Sequence, residues 1–236
     1  MGGVRIHVLR SGAYFHGLGV HMAACVTAGV GFALLVAARR ASIGVGELVV
    51  LHELLAPLPA VVASASLLPA DPSLGLVAAT RTPLARILAR RWVAALLVGS
   101  VPALALHAAV VWAVPGMALS PLAWLAPLLF LSALALAASA AFSNSFTGLG
   151  AAAAYWAASI VTVPALREAC ASPPGGLCLT GAWSTSFGLI APDGGAWLFN
   201  RALLIAAAGG LAVLAASLYR EPERHIAARA RSGDEA

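Results

Sequence analysis

The sequence predicts an all-α integral membrane protein with six transmembrane helices, and its composition and one long uncharged run carry that prediction. Of 236 residues, 61% are hydrophobic and 10% are charged, whereas soluble domains carry about 25% charged residues. No Asp, Glu, Lys or Arg occurs from Trp92 to Leu166. A water-soluble domain cannot cover its surface with such a run, so we expect residues 1–236 to form a single transmembrane domain.

Six apolar segments have the length of a membrane-spanning helix, which needs about 20 residues. We expect Pro57 and Pro59 to bend the second segment. Aromatic residues near several segment ends fit the interfacial belt that is typical of spanning helices. The six predicted spans are Gly17–Ala38, Val45–Leu68, Trp92–Val114, Pro121–Ala141, Phe146–Leu166 and Trp197–Leu218.

Arginine counts on the connecting segments predict the orientation. If the N-terminus is cytoplasmic, the inner segments hold ten arginines and the outer segments hold four, as the positive-inside rule requires. Both termini are then cytoplasmic, with a tail at 220–236, and residues 167–196 form an extracytoplasmic loop. The segment 1–16 is either an interfacial helix or a plain topogenic tail.

One basic segment, Asp71 to Arg91, interrupts the apolar sequence and is expected in the cytoplasm. Asp71-Pro72 suits a helix start, and Thr82 and Pro83 suit a second one. In the second helix Leu84, Ile87 and Leu88 share one face, while Arg86, Arg90 and Arg91 point elsewhere. The pattern predicts an amphipathic helix that runs into the third span. The alternative is a solvated loop whose arginines only fix the orientation.

The motif in this basic segment resembles the cytoplasmic loop of type-2 ABC transporter permeases. The residues that carry the resemblance are Asp71-Pro72, Gly75, Thr82-Pro83-Leu84, Arg86, Leu88 and Arg91. In that family the loop forms a coupling helix that docks on a nucleotide-binding ATPase subunit. Many members carry a Glu shortly after the Gly, where this chain has Leu76, Val77 and Ala78.

The resemblance implies a permease subunit of an ABC exporter in the bacterial cytoplasmic (inner) membrane. It would work with a second permease copy or paralogue and with separate ATPase subunits, which would bind ATP and Mg, while this chain itself would hold no cofactor. The residues that the resemblance assigns to coupling are Asp71, Gly75, Arg81, Pro83, Arg86 and Arg90. Because the predicted spans are apolar and poor in charge, we expect a hydrophobic or amphipathic substrate such as a lipid, drug or peptide.

The outer loop between the fifth and sixth spans carries two further expectations. The stretch Ala182–Pro192 is apolar with a glycine and flanking polar residues, which fits either a re-entrant turn or an ordered surface loop. Cys170 and Cys178 share this loop, and a disulfide between them is possible if it faces an oxidising compartment.

Several ionisable residues lie within the predicted spans, where each needs a structural or functional reason. Glu53 would either line a polar outer vestibule with Glu47 and His52 or pair with Arg39, Arg40 or Arg201. Alternatively the second span starts near Leu54 and leaves Glu53 in the interface. His107 lies in the outer half of the third span, hydrogen-bonded inside the protein or in a transport path.

The residue patterns also weigh against other functions. His52-Glu53-Leu54-Leu55-Ala56 starts like the zinc-protease motif, but Ala56 replaces the second His, and no metal site or catalytic residue is predicted. The chain has no Lys and hence no P-loop, so it is not itself an ATPase. No basic patch with interleaved aromatics suggests nucleic-acid binding. A haem-binding membrane anchor and an ATP-independent secondary transporter remain the alternatives.

Overall fold

A computed structural model describes residues 52–53, 55–67, 84–113, 120–171, 183–185 and 195–219. Every regular element within these ranges is a helix. We number the helices in chain order. They are α1 (Leu58–Ser66), α2 (Leu84–Ala113), α3 (Leu122–Phe142), α4 (Ser145–Val161), α5 (Val163–Ala171) and α6 (Gly195–Leu218).

Three of these helices are long and apolar enough to cross a membrane: α2 over Leu84–Ala108, α3, and α6. They correspond to the predicted third, fourth and sixth spans. They indicate a membrane protein, because an apolar helix of this length satisfies its own backbone in lipid. The predicted first span lies outside the described residues.

Helix α3 is the centre of the described bundle. In its most apolar window 67% of the residues are buried, against 17% for α2 and 22% for α6. Helices α1, α4 and α6 pack directly against α3. The core around its middle combines small and large apolar side chains, among them Val61, Ala126, Phe130, Leu131, Ala152 and Leu204. The other described helices therefore leave much of α2 and α6 uncovered.

The described part of the predicted second span is helical but interrupted. His52, Glu53 and Leu55 are helical, Ala56 and Pro57 form a turn, and α1 starts at Leu58. Pro57 has no N–H to donate, so a helical hydrogen bond is lost at this point. The amide N of Ala56 still donates to the carbonyl O of His52 at 3.1 Å. The interruption lies at the first of the two prolines that are predicted to bend this span.

The predicted fifth span, Phe146–Leu166, is not one helix. Helix α4 ends at Val161, Thr162 follows, and α5 begins at Val163. Pro164 explains the break, since it lacks the N–H that would bond the carbonyl of Ile160. The amide N and the hydroxyl of Thr162 both donate to the carbonyl O of Ala158, the hydroxyl at 2.7 Å. The apolar helix is therefore 17 residues long, shorter than the run that the sequence predicts.

A tight connection joins α3 to α4. Ser143 adopts a left-handed conformation with φ of 54°, and the Asn144 side chain accepts a hydrogen bond from the amide N of Phe146 at 2.8 Å. Asn is a preferred residue at this capping position. The turn brings α4 so close to α3 that a Cβ on Gly148 would collide with the Ser139 hydroxyl and the Ala135 carbonyl.

The helices meet at two opposite ends of the bundle. At one end the start of α2 packs against the last turns of α3 and α6, and Leu67, just past α1, joins them. We call this the basic end, because Arg86 and Arg90 belong to it. At the opposite end lie the last turns of α2, the first turns of α3 and α6, and the residues before α1.

Candidate functional site

The basic end contains the described part of the segment that the sequence analysis assigns to coupling. Leu84 and Leu88 are buried against Leu136, Ala137, Ala140, Ala215 and Tyr219. Arg86 and Arg90 are exposed on the other side of the helix. The amphipathic register that the spacing predicts is therefore present from Leu84 onward. Asp71, Gly75, Arg81 and Pro83 lie outside the described residues.

Helix α2 is longer than a membrane crossing requires. Its 30 residues extend about 45 Å at a rise of about 1.5 Å per residue, whereas the hydrocarbon core is about 30 Å thick. Charged side chains avoid the hydrocarbon core. The turns that carry Arg86 and Arg90 are therefore the part of α2 expected to project from the membrane, while the apolar remainder crosses it.

The opposite end contains a buried ion pair. Arg201, in the second turn of α6, donates from Nη2 to the Oε1 of Glu53, which precedes α1. Both side chains are 1% exposed or less. Arg201 is one of the three arginines that the sequence offers as partners for Glu53; the other two, Arg39 and Arg40, lie outside the described residues. The pair joins residues 148 positions apart and ties the first turns of α6 to the segment before α1.

The Arg201 guanidinium also lies over an aromatic ring. Its Cζ atom is 5.1 Å from the centroid of the Trp197 ring, within the range of a cation–π interaction. Trp197, Asn200 and Arg201 are spaced to share one face of α6. The Arg201 guanidinium thus contacts both the Glu53 carboxylate and the Trp197 ring. These two contacts offset part of the desolvation cost of a buried cation.

Two histidines extend this cluster towards α2 and α3. The rings of His52 and His107 have centroids 5.3 Å apart, and the His107 ring is 6.5 Å from that of Trp124. His52 is 1% exposed and Trp124 is 4% exposed. Contacts through His107 and Trp124 therefore connect the last turns of α2 and the first turn of α3 to the ion pair. Glu47, the fourth residue predicted for a vestibule, lies outside the described residues.

A short loop segment, Trp183 to Thr185, closes the cluster on the side of α6 and α4. Asn200 Nδ2 donates to the Ser184 carbonyl at 2.9 Å, and the Tyr155 hydroxyl donates to the Trp183 carbonyl. Ser184 and Thr185 are buried. The rest of the stretch predicted to re-enter the membrane, Cys178 and the side chain of Cys170 lie outside the described residues.

Many buried polar atoms of this cluster have no hydrogen-bond partner among the described residues. They are Arg201 Nε and Nη1, His52 Nδ1 and Nε2, His107 Nδ1, Trp124 Nε1 and Thr185 Oγ1. Buried polar groups in native proteins are almost always paired with protein, water or a ligand. We call the set Glu53, His52, His107, Trp124, Thr185, Trp197, Asn200 and Arg201 the outer polar cluster.

The sequence analysis did not identify Trp124, Thr185, Trp197 or Asn200 as members of this site. A usable signal existed in α6, because Trp197, Asn200 and Arg201 follow the i, i+3, i+4 spacing at the start of an apolar helix. No such signal marks Trp124 or Thr185. Their proximity depends on how α3 and the loop segment pack.

Comparisons with known proteins do not identify a family or a function for the chain. No protein-family model matches the chain, and neither the curated proteins nor the solved structures contain a match. Within the described ranges, no three His, Cys, Asp or Glu side chains converge in a way that would hold a metal ion. The basic end and the outer polar cluster are therefore the two features of the described structure that bear on function.

Proposed function

We propose that this chain is the transmembrane subunit of an ATP-binding-cassette exporter of the type-2 permease class. It would have six spans with both termini in the cytoplasm of a bacterial cell and sit in the cytoplasmic membrane. It would pair with a second permease copy or a paralogue and move a hydrophobic or amphipathic substrate outward. Separate ATPase subunits would bind ATP and Mg and supply the energy.

The observation that carries this proposal is the continuity of α2. The helix that holds Arg86 and Arg90 on its exposed side is the same helix that is long and apolar enough to cross a membrane. Leu84 and Leu88 fix its start against the last turns of α3 and α6. Because Leu84 and Leu88 anchor the first turns of α2, a push on the exposed arginines would move the packed ends of α3 and α6 with them. Pro102 lies farther along α2, where its missing N–H removes a helical hydrogen bond and gives the helix a point at which it can bend.

The exposed surfaces of α2 and α6 support an apolar path or an apolar subunit contact. Both helices present large side chains outward, among them Leu97, Val98, Val101, Leu104, Leu198, Val213 and Leu214. No charged residue lies between Trp92 and Ala113 on α2. A path along such a surface favours an apolar or amphipathic molecule over a free ion, because a charge would be desolvated without compensation.

Charge reversal at the basic end tests the coupling role. In the variant R86E/R90E, both exposed arginines become acidic, so an acidic docking surface on the ATPase would be repelled. We expect about tenfold weaker association with the ATPase and a parallel loss of transport-coupled ATP hydrolysis. Thermal unfolding should be unchanged, since both side chains are exposed.

E168R is the matched control, because Glu168 is an exposed residue on α5, which follows the far end of α4. It should leave association and coupled hydrolysis unchanged. Wild-type association and hydrolysis in R86E/R90E would contradict docking through these arginines.

A secondary transporter that works without ATP is the second candidate function, and the outer polar cluster favours it. An ion pair with two adjacent histidines inside a membrane protein is the kind of arrangement that proton- or ion-coupled transporters use. Uptake or efflux by the purified chain in liposomes, driven by an ion gradient without an ATPase, would select this candidate.

The arrangement of the two described histidines does not favour a haem held between them. A macrocycle held by two axial histidines must lie between their rings. The rings of His52 and His107 are tilted by 36° with centroids 5.3 Å apart, which leaves no room for it between these two.

A further inference from the structure

The outer polar cluster is rich in hydrogen-bond donors that are buried and unmatched within the described residues. Arg201, His52, Thr185 and Trp124 are each at least nine-tenths buried. Arg201 Nε and Nη1 and Trp124 Nε1 are donors only, while Thr185 and each neutral histidine can donate one hydrogen. The complement of such a set is a group with several acceptor oxygens.

The charges of the cluster restrict further the kind of ligand that it suits. Arg201 donates through Nη2 to Glu53, so the pair is neutral overall, and the guanidinium keeps N–H groups on Nε and Nη1. An acceptor oxygen gains charge-assisted hydrogen bonds there. Glu53 and the Trp197 ring, which would attract a cation, are already engaged by Arg201, whereas the N–H groups without a described partner include two on the guanidinium itself. A cationic group would therefore approach the positively charged member of the ion pair, so the cluster favours a ligand without positive charge.

The surroundings of the cluster suit a molecule with an apolar remainder. The chain beyond Arg201 on α6 and beyond His107 towards the start of α2 is apolar, and the outer sides of both helices expose large hydrophobic side chains. A polar group seated on the cluster can keep its apolar chain against these helices. This combination defines an amphiphile.

We propose that the outer polar cluster binds the polar group of an amphipathic molecule that carries acceptor oxygens and no positive charge. Arg201, His52 and Thr185 would donate to those oxygens. The inference rests on the proposed function, because the bound amphiphile is the transported substrate only if the chain is a transporter. Its test, which measures binding, needs no ATPase. Carboxylate and ester-plus-hydroxyl groups share the required chemistry, and the experiment distinguishes them.

The test measures binding of radiolabelled laurate to the full chain in phosphatidylcholine nanodiscs, with empty nanodiscs as background. We expect saturable binding above background. Excess dodecyltrimethylammonium, which has the same chain length and a cationic head, should not displace the label. Displacement by 1-lauroylglycerol would show that the site takes uncharged acceptor oxygens, and its failure to displace would restrict the site to the carboxylate. Either result supports the proposal.

Thr185→Val separates a binding role from a structural one. Valine has nearly the same shape, and removing an unmatched buried hydroxyl should leave the unfolding temperature unchanged or raise it. If Thr185 donates to the ligand, laurate affinity falls about threefold to tenfold. Arg201→Lys, which keeps the charge but loses the planar fork, should lower affinity about tenfold or more.

Ser139→Ala is the matched control, because it removes another buried hydroxyl without a described partner, on α3 near the basic end. It should leave laurate affinity unchanged. Three results would overturn the proposal: no saturable laurate binding, equal displacement by dodecyltrimethylammonium, or wild-type affinity in both Thr185→Val and Arg201→Lys. None of these outcomes bears on ATPase association, so failure here is distinguishable from failure of the transporter assignment.

Discussion

Replacing Arg201 alone with leucine is expected to lower the free energy of unfolding by about 3–5 kcal/mol. Glu53 would then lose its guanidinium partner at a site where its side chain is fully buried. A buried carboxylate without that partner keeps the full cost of desolvation, whereas the pair offsets part of it. The measurement is thermal unfolding in detergent at neutral pH.

The double variant E53L/R201L gives the diagnostic comparison. Removing both charges also removes both desolvation costs, so its stability should return to near the wild-type value or exceed it. Arg86→Leu is the control, because it deletes an exposed guanidinium and should change stability little. If Arg201→Leu is as stable as the wild type, the ion pair does not hold α6 to the segment before α1.

Replacing Gly148 with alanine is expected to have the second largest effect. In an ordinary helix this change raises stability by about 0.5–1 kcal/mol, because alanine loses less conformational freedom on folding. At Gly148 the new methyl group would occupy the space of the Ser139 hydroxyl and the Ala135 carbonyl. Overpacking of this kind typically costs about 1–3 kcal/mol. Gly148→Ala should therefore lower the stability of the protein instead of raising it.

Gly150 provides the control within the same helix. A Cβ at that position meets nothing within 4 Å, so Gly150→Ala should keep the usual stabilising sign. Thermal unfolding of the two variants under identical conditions measures the contrast. Equal stabilisation by both substitutions would mean that α3 and α4 are not in close contact at Gly148.

The helices that are long and apolar enough to cross a membrane were predictable because the signal is local. Apolar runs of sufficient length in α2, α3 and α6 are read directly from composition. Helical spacing alone also predicts which side chains of α2 are buried and which are exposed: Leu84 lies on the buried face and Arg86 on the exposed face. Such features depend on neighbours within a turn or two, so tertiary packing does not decide them.

Features that depend on packing between distant elements could not be predicted from the sequence. The sequence offers Arg39, Arg40 and Arg201 to Glu53, and the contact with Arg201 becomes visible only in the three-dimensional arrangement. Gly99 illustrates the same limit: its α-carbon faces α1 so closely that an added Cβ would lie 2.8 Å from Ala60. Neither relation has a signature in the spacing of residues, because both join elements that are far apart in the chain.

The break between α4 and α5 is an intermediate case. Pro164 is visible in the sequence, but the length of the apolar run predicts one continuous span. The regular helix stops at Val161 because Pro164 has no N–H for the carbonyl of Ile160. The end of α4 is therefore set by the proline and not by the end of the apolar run.

Co-purification is the most direct measurement of the central proposal, that this chain is the membrane subunit of an ATP-driven exporter. The chain would be expressed with its genomic neighbours and isolated in mild detergent, with R86E/R90E in parallel. The proposal predicts a complex containing an ATPase subunit, bound in equal numbers to permease chains and weakened by the charge reversal. A chain that never retains an ATPase, or that transports its substrate without one, would contradict the proposal.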